Sequence, residues 1–246
     1  MNITVLGPWG AYPKAGEATA GYLLEHEGRC LLIDCGSGVL AQVQRYKRLD
    51  ELDGVYISHK HHDHTADLGC LQYASLIDMD LGNRSQTLPI YYAAELDVDL
   101  THKSMPGSEI RRIGDGETMR DGSLDFTFFK TFHEAYCLGL IIQFGKRKIV
   151  YTADTYFHES LIPHCADADV LIVETSFYKS IKDARKYGHM NSVEAGQLAK
   201  EAGVKKAVLT HLPHFGFVDR LASEFGEVYK GDIETAFCGM EIEIDI

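Results

Sequence analysis

The chain has 246 residues, 45% of them hydrophobic, which suffices for a substantial core and fits one α/β domain over 1–246. A net charge of −12 disfavours indiscriminate nucleic-acid binding, because an acidic surface repels a polyanion, but it leaves room for a local phosphate site. The start carries no basic and apolar leader, and no segment approaches the roughly 18 apolar residues of a membrane span, so a soluble cytoplasmic protein with no membrane role is expected.

In chain order, strand-like runs are expected at 20–25 and 30–34, then a helical stretch around 39–47 and a strand at 54–57. A helix near 64–78 follows, then strands at 89–93, 125–132, 138–144, 148–152 and 170–174. The turn Gly145-Lys146-Arg147 joins two of these strands. A helix at 193–202, a strand at 207–210, a helix at 218–225 and a strand at 241–244 complete the series. Alternating strands and helices imply helices packed outside sheets, with no repeat or long linker. The six cysteines form no C-x-x-C pair, and are expected to be buried, reduced thiols rather than disulfides or a thiolate zinc site.

The densest chemistry lies directly after the strand at 54–57, where His59-Lys60-His61-His62-Asp63-His64 holds four of the twelve histidines and a carboxylate. Neutral imidazoles and carboxylates without thiolate are ligands for a hydrolytic divalent metal rather than a structural zinc knot. His133, Asp154 and His211 each follow a further strand, and strand-end loops are where an α/β scaffold gathers reactive groups. Each alone reads as a turn or capping residue. Together with the histidine cluster they make seven candidate metal ligands.

On these residues the chain resembles the metallo-β-lactamase superfamily, whose pattern is H-x-H-x-D-H followed by a His, an Asp and a His, each after a strand. Leu32-Ile33-Asp34-Cys35-Gly36 also looks like that family's aspartate and glycine turn. The resemblance implies an α/β fold of the αββα four-layer sandwich type and two divalent ions, Zn²⁺ first, with Mn²⁺ and Fe²⁺ accepting the same ligands. It assigns His59, His61 and His133 to one ion and Asp63, His64 and His211 to the other, with Asp154 bridging and Lys60 and His62 as spacers. The absence of a cysteine ligand argues against antibiotic hydrolysis. A His at position 61 and the short chain argue against flavodiiron oxygen reductases.

The stretch from Gly188 to His211 looks like the corresponding segment of tRNase Z and related phosphodiesterases, where a His before a helix, here His189, is held by a Glu after a strand, here Glu174. Read locally, the same residues are a helix-entry histidine, with Asn191 or Ser192 as N-cap, and a strand-end glutamate. The resemblance implies that Asp63 orients or deprotonates the attacking water, and that His189 stabilises or protonates the departing group. It also implies a homodimer.

Only twenty residues separate His133 from Asp154, and two strands use them, so no tRNA-binding arm fits there. A small cyclic or nucleic-acid-derived phosphodiester is therefore expected, for instance single-stranded RNA or a cyclic-nucleotide-like molecule. Processing of tRNA 3′ ends, and hydrolysis of lactones or thioesters on the same fold, are the alternatives. Trp9, Tyr12 and Lys14 are read as a loop pinned to the core. Lys179, Lys182, Arg185 and Lys186 are read as the solvated face of a helix.

Overall fold

The computed structural model describes residues 1–96 and 98–244. They form two compact units, one of Met1–Ile113 with the segment from Phe237 onward, the other of Gly114–Ala236.

The first unit contains strands β1 (Asn2–Gly7), β2 (Gly21–His26), β3 (Arg29–Ile33), β4 (Gly54–Ile57), β5 (Leu88–Ala93), β6 (Ser108–Ile113) and the late β14 (Glu241–Glu243). Its helices are α1 (Val39–Val43), α2 (His62–Thr65) and α3 (Leu68–Leu81). The sheet order is β14-β1-β2-β3-β4-β5-β6, antiparallel from β14 to β3 and parallel from β3 to β6. The β2–β3 hairpin turns at Glu27 and Gly28, both at positive φ, the geometry that matches the twist of paired strands. Val39 and Val43 of α1 and Leu68 and Leu71 of α3 bury themselves against Leu23, Leu32, Val55, Ile57 and Ile90 of the sheet, giving this unit its own core.

The second unit repeats the plan. Its strands are β7 (Thr118–Asp121), β8 (Leu124–Lys130), β9 (Leu138–Phe144), β10 (Arg147–Tyr151), β11 (Val170–Glu174), β12 (Lys206–Thr210) and β13 (Asp232–Thr235), with helices α4 (Ile162–Cys165), α5 (Ser192–Glu201) and α6 (Val218–Phe225). The order is β13-β12-β11-β10-β9-β8-β7, with three antiparallel pairings from β7 to β10 and three parallel ones from β10 to β13. A backbone plan thus recurs without a recurring sequence. Gly139 lies opposite Phe129, whose ring occupies the space a β-carbon would need, 2.2 Å away.

Most expected elements are present, with instructive differences. The single helix expected over 64–78 is two, α2 and α3, because Asp67 is drawn aside: its N–H donates to Cys35 O and its carboxylate accepts from Leu40 N. The helix expected around 39–47 is shorter, ending at Val43. No strand was expected at β1, β6, β7 or β13; β1 lies inside its sheet, and the other three are sheet edges, rich in charge and short of the apolar alternation that marks a strand. Residues 179–186 do not form the expected helix. Only a 3₁₀ turn at Ala184–Tyr187 is present. Cys30, Cys35, Cys137 and Cys165 are buried and free, as expected, whereas Cys70 is exposed and Cys238 half-buried. None of the described helices is long and apolar enough to cross a membrane.

Asp169 ties together the starting ends of the three parallel strands β10, β11 and β12. Its N–H donates to Lys148 O, its carbonyl accepts from Lys206 N, and its carboxylate accepts from Lys148 N, Lys205 Nζ and Arg147 Nη1. Burial pushes this carboxyl up, but the hydrogen bonds from Lys205 and Lys148 and the charges beside it outweigh that and hold it below its ordinary 3.8. A depressed folded value means the contribution is complete above pH 3.8 and fades as pH falls through the lower value. Asp169→Ala should therefore lower stability by roughly 1.5–3 kcal/mol at pH 7, the range for hydrogen bonds to a charged group. The difference from the parent should shrink as pH falls below 3.8 in urea unfolding series.

Candidate metal centre

In the first unit the chain leaves β3 through Asp34, at φ 57, a left-handed conformation costly for a residue other than glycine. Asp34 is fully buried, its Oδ1 accepting from Ser58 N (2.8 Å) and its Oδ2 from Ser58 Oγ (2.9 Å) and His64 Nδ1 (2.8 Å). The Ser58 hydroxyl hydrogen is thereby committed to Asp34. Its oxygen accepts from His59 Nδ1 (3.1 Å), which turns the Nε2 lone pair of His59 outward.

That Nε2 lies 3.0 Å from Nδ1 of His61, a spacing close to the ~3.3 Å between two imidazole nitrogens that share one tetrahedral zinc at ~2.0–2.1 Å. His64, also fully buried, approaches Asp63 Oδ2 with its Nε2 at 3.8 Å, and Ala11 N, itself at positive φ, donates to the same oxygen. Gly36 is required by close approach, since a β-carbon there would stand 2.0 Å from the carbonyl oxygen of Asp63. Lys60 and His62 are exposed, as the spacer reading expects.

The second unit supplies the remaining candidates from four strand ends. His133 follows β8 and its Nδ1 donates to Gly188 O (2.9 Å). A β-carbon on Gly188, at φ 76, would press on that ring at 2.6 Å. Asp154 follows β10 through Ala153, at φ 51, and His211 follows β12 with φ 53. The Nε2 atoms of His133 and His211 stand 3.9 and 3.4 Å from Asp154 Oδ2.

Glu174, 1% exposed at the end of β11, collects five hydrogen bonds: from Thr155 N, Met190 N and His189 Nδ1 (3.0 Å) on Oε1, and from Ser176 N and Ser176 Oγ (2.8 Å) on Oε2. Ser176 Oγ in turn accepts from His211 Nδ1 (2.8 Å). One buried carboxylate therefore aims His189 directly and His211 through a serine. The His189 and His211 rings stack at 5.0 Å, and His189 lies 5.2 Å from His133. Glu174, His189 and His211 each offer a ligand atom within 4.8 Å of the others. With both Glu174 oxygens already accepting, that trio reads as an orienting pair beside a ligand.

His189 is fixed from its other side by the cap of α5. Asn191 Oδ1 accepts from Val193 N and Glu194 N, while Glu194 Oε2 accepts from Asn191 N, a reciprocal capping box. The local N-cap reading of this segment is thus met by Asn191.

The donors suit a divalent cation of zinc's class: imidazoles and carboxylates without thiolate, the Nδ1 edges of His59, His64, His133 and His211 tied to outer hydroxyl, carboxylate or carbonyl partners, and the Nε2 edges of His64, His133 and His211 turned towards carboxylates. Sequence reasoning missed Ser58 and Ser176. Their signal was present as a serine at a strand end beside a ligand histidine or its glutamate. Trp9 is buried with its indole N–H on Glu17 and Lys14 over its ring at 3.7 Å, so it pins its loop, while Tyr12 is exposed.

Comparison with known proteins agrees with this chemistry. The family described as Beta-lactamase superfamily domain matches residues 29–212. The probable metallo-hydrolase YhfI of Bacillus subtilis is 42% identical over 241 residues, 97% of this chain and 98% of that protein. The crystal structure of that metallo-β-lactamase-fold protein superposes with a TM-score of 0.90 over 98% of each chain. Ribonuclease Z of Haloarcula marismortui is 24% identical, covering 100% of this chain and 97% of its own, in an alignment of 308 positions. Human tRNase Z, short form, at 22% identity and a TM-score of 0.75 over 100% of both chains, shares the fold.

Asp34→Ala should reduce metal affinity by about 10- to 100-fold, the usual effect of removing an outer partner of a ligand histidine. Titration against a metal-buffered chromophore measures this, and unchanged affinity would contradict the role given to Asp34.

Proposed function

This chain belongs to the beta-lactamase superfamily and is a metallo-hydrolase, and from that premise we propose that it is a binuclear phosphodiesterase with ribonuclease Z-like chemistry, acting on a small cyclic or nucleic-acid-derived phosphodiester. His59, His61 and His133 would hold one ion, Asp63, His64 and His211 the other, and Asp154 would bridge them, with Zn²⁺ as the expected metal. The family match runs through both units, which supports reading 1–246 as one functional domain. A cytoplasmic homodimer is part of the same proposal.

The observation that carries the phosphodiester reading is the pair formed by His189 and Glu174. A metal-clamped carboxylic ester does not require an imidazole held on a buried carboxylate beside the ligand histidines. A phosphodiester does gain from one, because negative charge accumulates on its oxygens and on the departing alkoxide. Divalent ions held by these residues would lower the pKa of a bound water and offset charge on the attacking and leaving oxygens. Glu174 holds Nδ1 of His189, so that a proton on the opposite nitrogen would meet the phosphoryl or leaving oxygen of a bound substrate. Asp63 would position the attacking water through the carboxylate that Ala11 N steadies.

Substrate size is supported by chain length. The strands between His133 and Asp154 are joined by a tight turn at Gly145 and Lys146. The alignment with the ribonuclease Z spans 308 positions against 246 residues here, whereas that with YhfI spans 241. These lengths support a substrate smaller than a precursor tRNA.

His189→Ala should retain the metal content of the parent while hydrolysis of bis(p-nitrophenyl) phosphate falls by about 10²–10⁴-fold, the range for a positioned acid. Metal analysis beside kinetics checks this, and loss of metal in the variant would make His189 a ligand and reject its role. Turnover of a lactone or thioester without any phosphodiester cleavage would reject the phosphodiesterase assignment itself.

A further inference from the structure

Beside His189, within the second unit, lies an aromatic surface that metal binding does not use. The Phe177 ring lies 6.1 Å from the His189 ring, and Tyr187 and Phe215 flank Phe177 at 5.3 and 6.2 Å. Tyr187 and Phe215 are 50% and 51% exposed, large apolar faces that burial does not explain.

These rings are held rather than loose. Phe177 is pinned on both backbone sides, its N–H donating to Met190 O and its carbonyl accepting from Ser192 N, so it shares the segment that sets His189. Tyr178 Oη donates to Phe215 O, and Gly216, at φ 73, packs so closely on the Tyr178 ring that a β-carbon would stand 2.7 Å from it. Arg220 lies over the other side of that tyrosine, at 5.4 Å.

Cations accompany the rings, although the chain as a whole is strongly acidic. Lys186 Nζ sits 4.8 Å over Tyr187, and Lys182 is exposed four residues earlier. A fixed aromatic shelf, edged by the Lys186 ammonium group and leading to a histidine proposed to face a phosphoryl group, matches one ligand chemistry: a flat heteroaromatic base attached to a phosphate. The geometry points to the Phe177, Tyr187 and Phe215 shelf as a nucleobase-stacking subsite, which makes the substrate a nucleotide phosphodiester rather than a base-free sugar phosphate. This rests on the phosphodiesterase reading and narrows it.

The test compares AMP with ribose 5-phosphate, which differ only in the base, by calorimetric titration of the metal-loaded protein. AMP should bind at least about tenfold more tightly, as stacking on one base provides. Tyr187→Ala/Phe215→Ala should remove that advantage, and Tyr187→Phe/Phe215→Trp should keep it, with far-UV circular dichroism confirming folded variants. Equal binding of both ligands by the parent overturns the subsite. So does equal weakening of both in the alanine variant, or an alanine variant that changes only the molar mass in light scattering, which would make the shelf a contact between copies of the chain. Hydrolysis of methyl p-nitrophenyl phosphate by the parent reports separately on the phosphodiesterase reading, because that ester has no base to stack.

Discussion

Two buried carboxylates, Asp34 and Glu174, each accept a serine hydroxyl hydrogen and thereby leave that serine's oxygen to accept from a histidine Nδ1. The same relay occurs once in each unit: Asp34 to Ser58 to His59, and Glu174 to Ser176 to His211. A carboxylate taken out of water must have its oxygens saturated by donors, and here those donors are the groups that need aiming. The imidazole tautomer follows from this count of hydrogens, and the outward nitrogen is the one that can bind a cation. His64 and His189 are tied to the same two carboxylates without an intervening serine.

These carboxylates stand where they do because each unit places its parallel strands side by side and ends them together. In the second unit β10, β11 and β12 run in register, so Asp154, Glu174 and His211 leave from one edge of the sheet, while Asp169 clamps the opposite ends of the same strands. The exits are conformationally costly. Among the described residues six non-glycine positions have positive φ, and four of them, Ala11, Asp34, Ala153 and His211, are a candidate ligand or lie beside one or hold one. Strain of this kind persists only when surrounding hydrogen bonds over-determine the backbone, as the relays do here.

The acidic balance of the chain and its local cations divide two tasks. A net charge of −12 keeps a long polyanion from adhering at random, whereas Arg185, at 4.6 Å over the Tyr156 ring, and Lys186 over Tyr187 put positive charge on the short segment leading to His189. Under the proposed function, affinity for a small phosphodiester would then arise locally without a broad basic surface. The fixed loops around Phe177 and Phe215 fit that arrangement, because a rigid aromatic face loses little freedom when a ligand settles on it.

The sequence by itself determined the candidate ligand types and the scaffold that carries them. His59, His61, Asp63 and His64 crowd behind a run too apolar to be anything but a buried strand, and His133, Asp154 and His211 each close another such run, so both chemistry and strand ends were legible from local pattern alone. Most central strands were legible for the same reason, though β1 was not expected, and the edge strands β6, β7 and β13 were not legible, since an edge facing water carries charge in place of alternation. What only the tertiary structure decided is which polar neighbours aim the ligands. Ser58 and Ser176 are ordinary residues in sequence, and they acquire their role because β3 lies beside β4 and β11 beside β12. The aromatic shelf likewise joins Phe177 and Tyr187 of the β11–α5 connection to Phe215 of the β12–α6 connection. Relays and shelves are made by distance in space, which spacing along a chain does not encode.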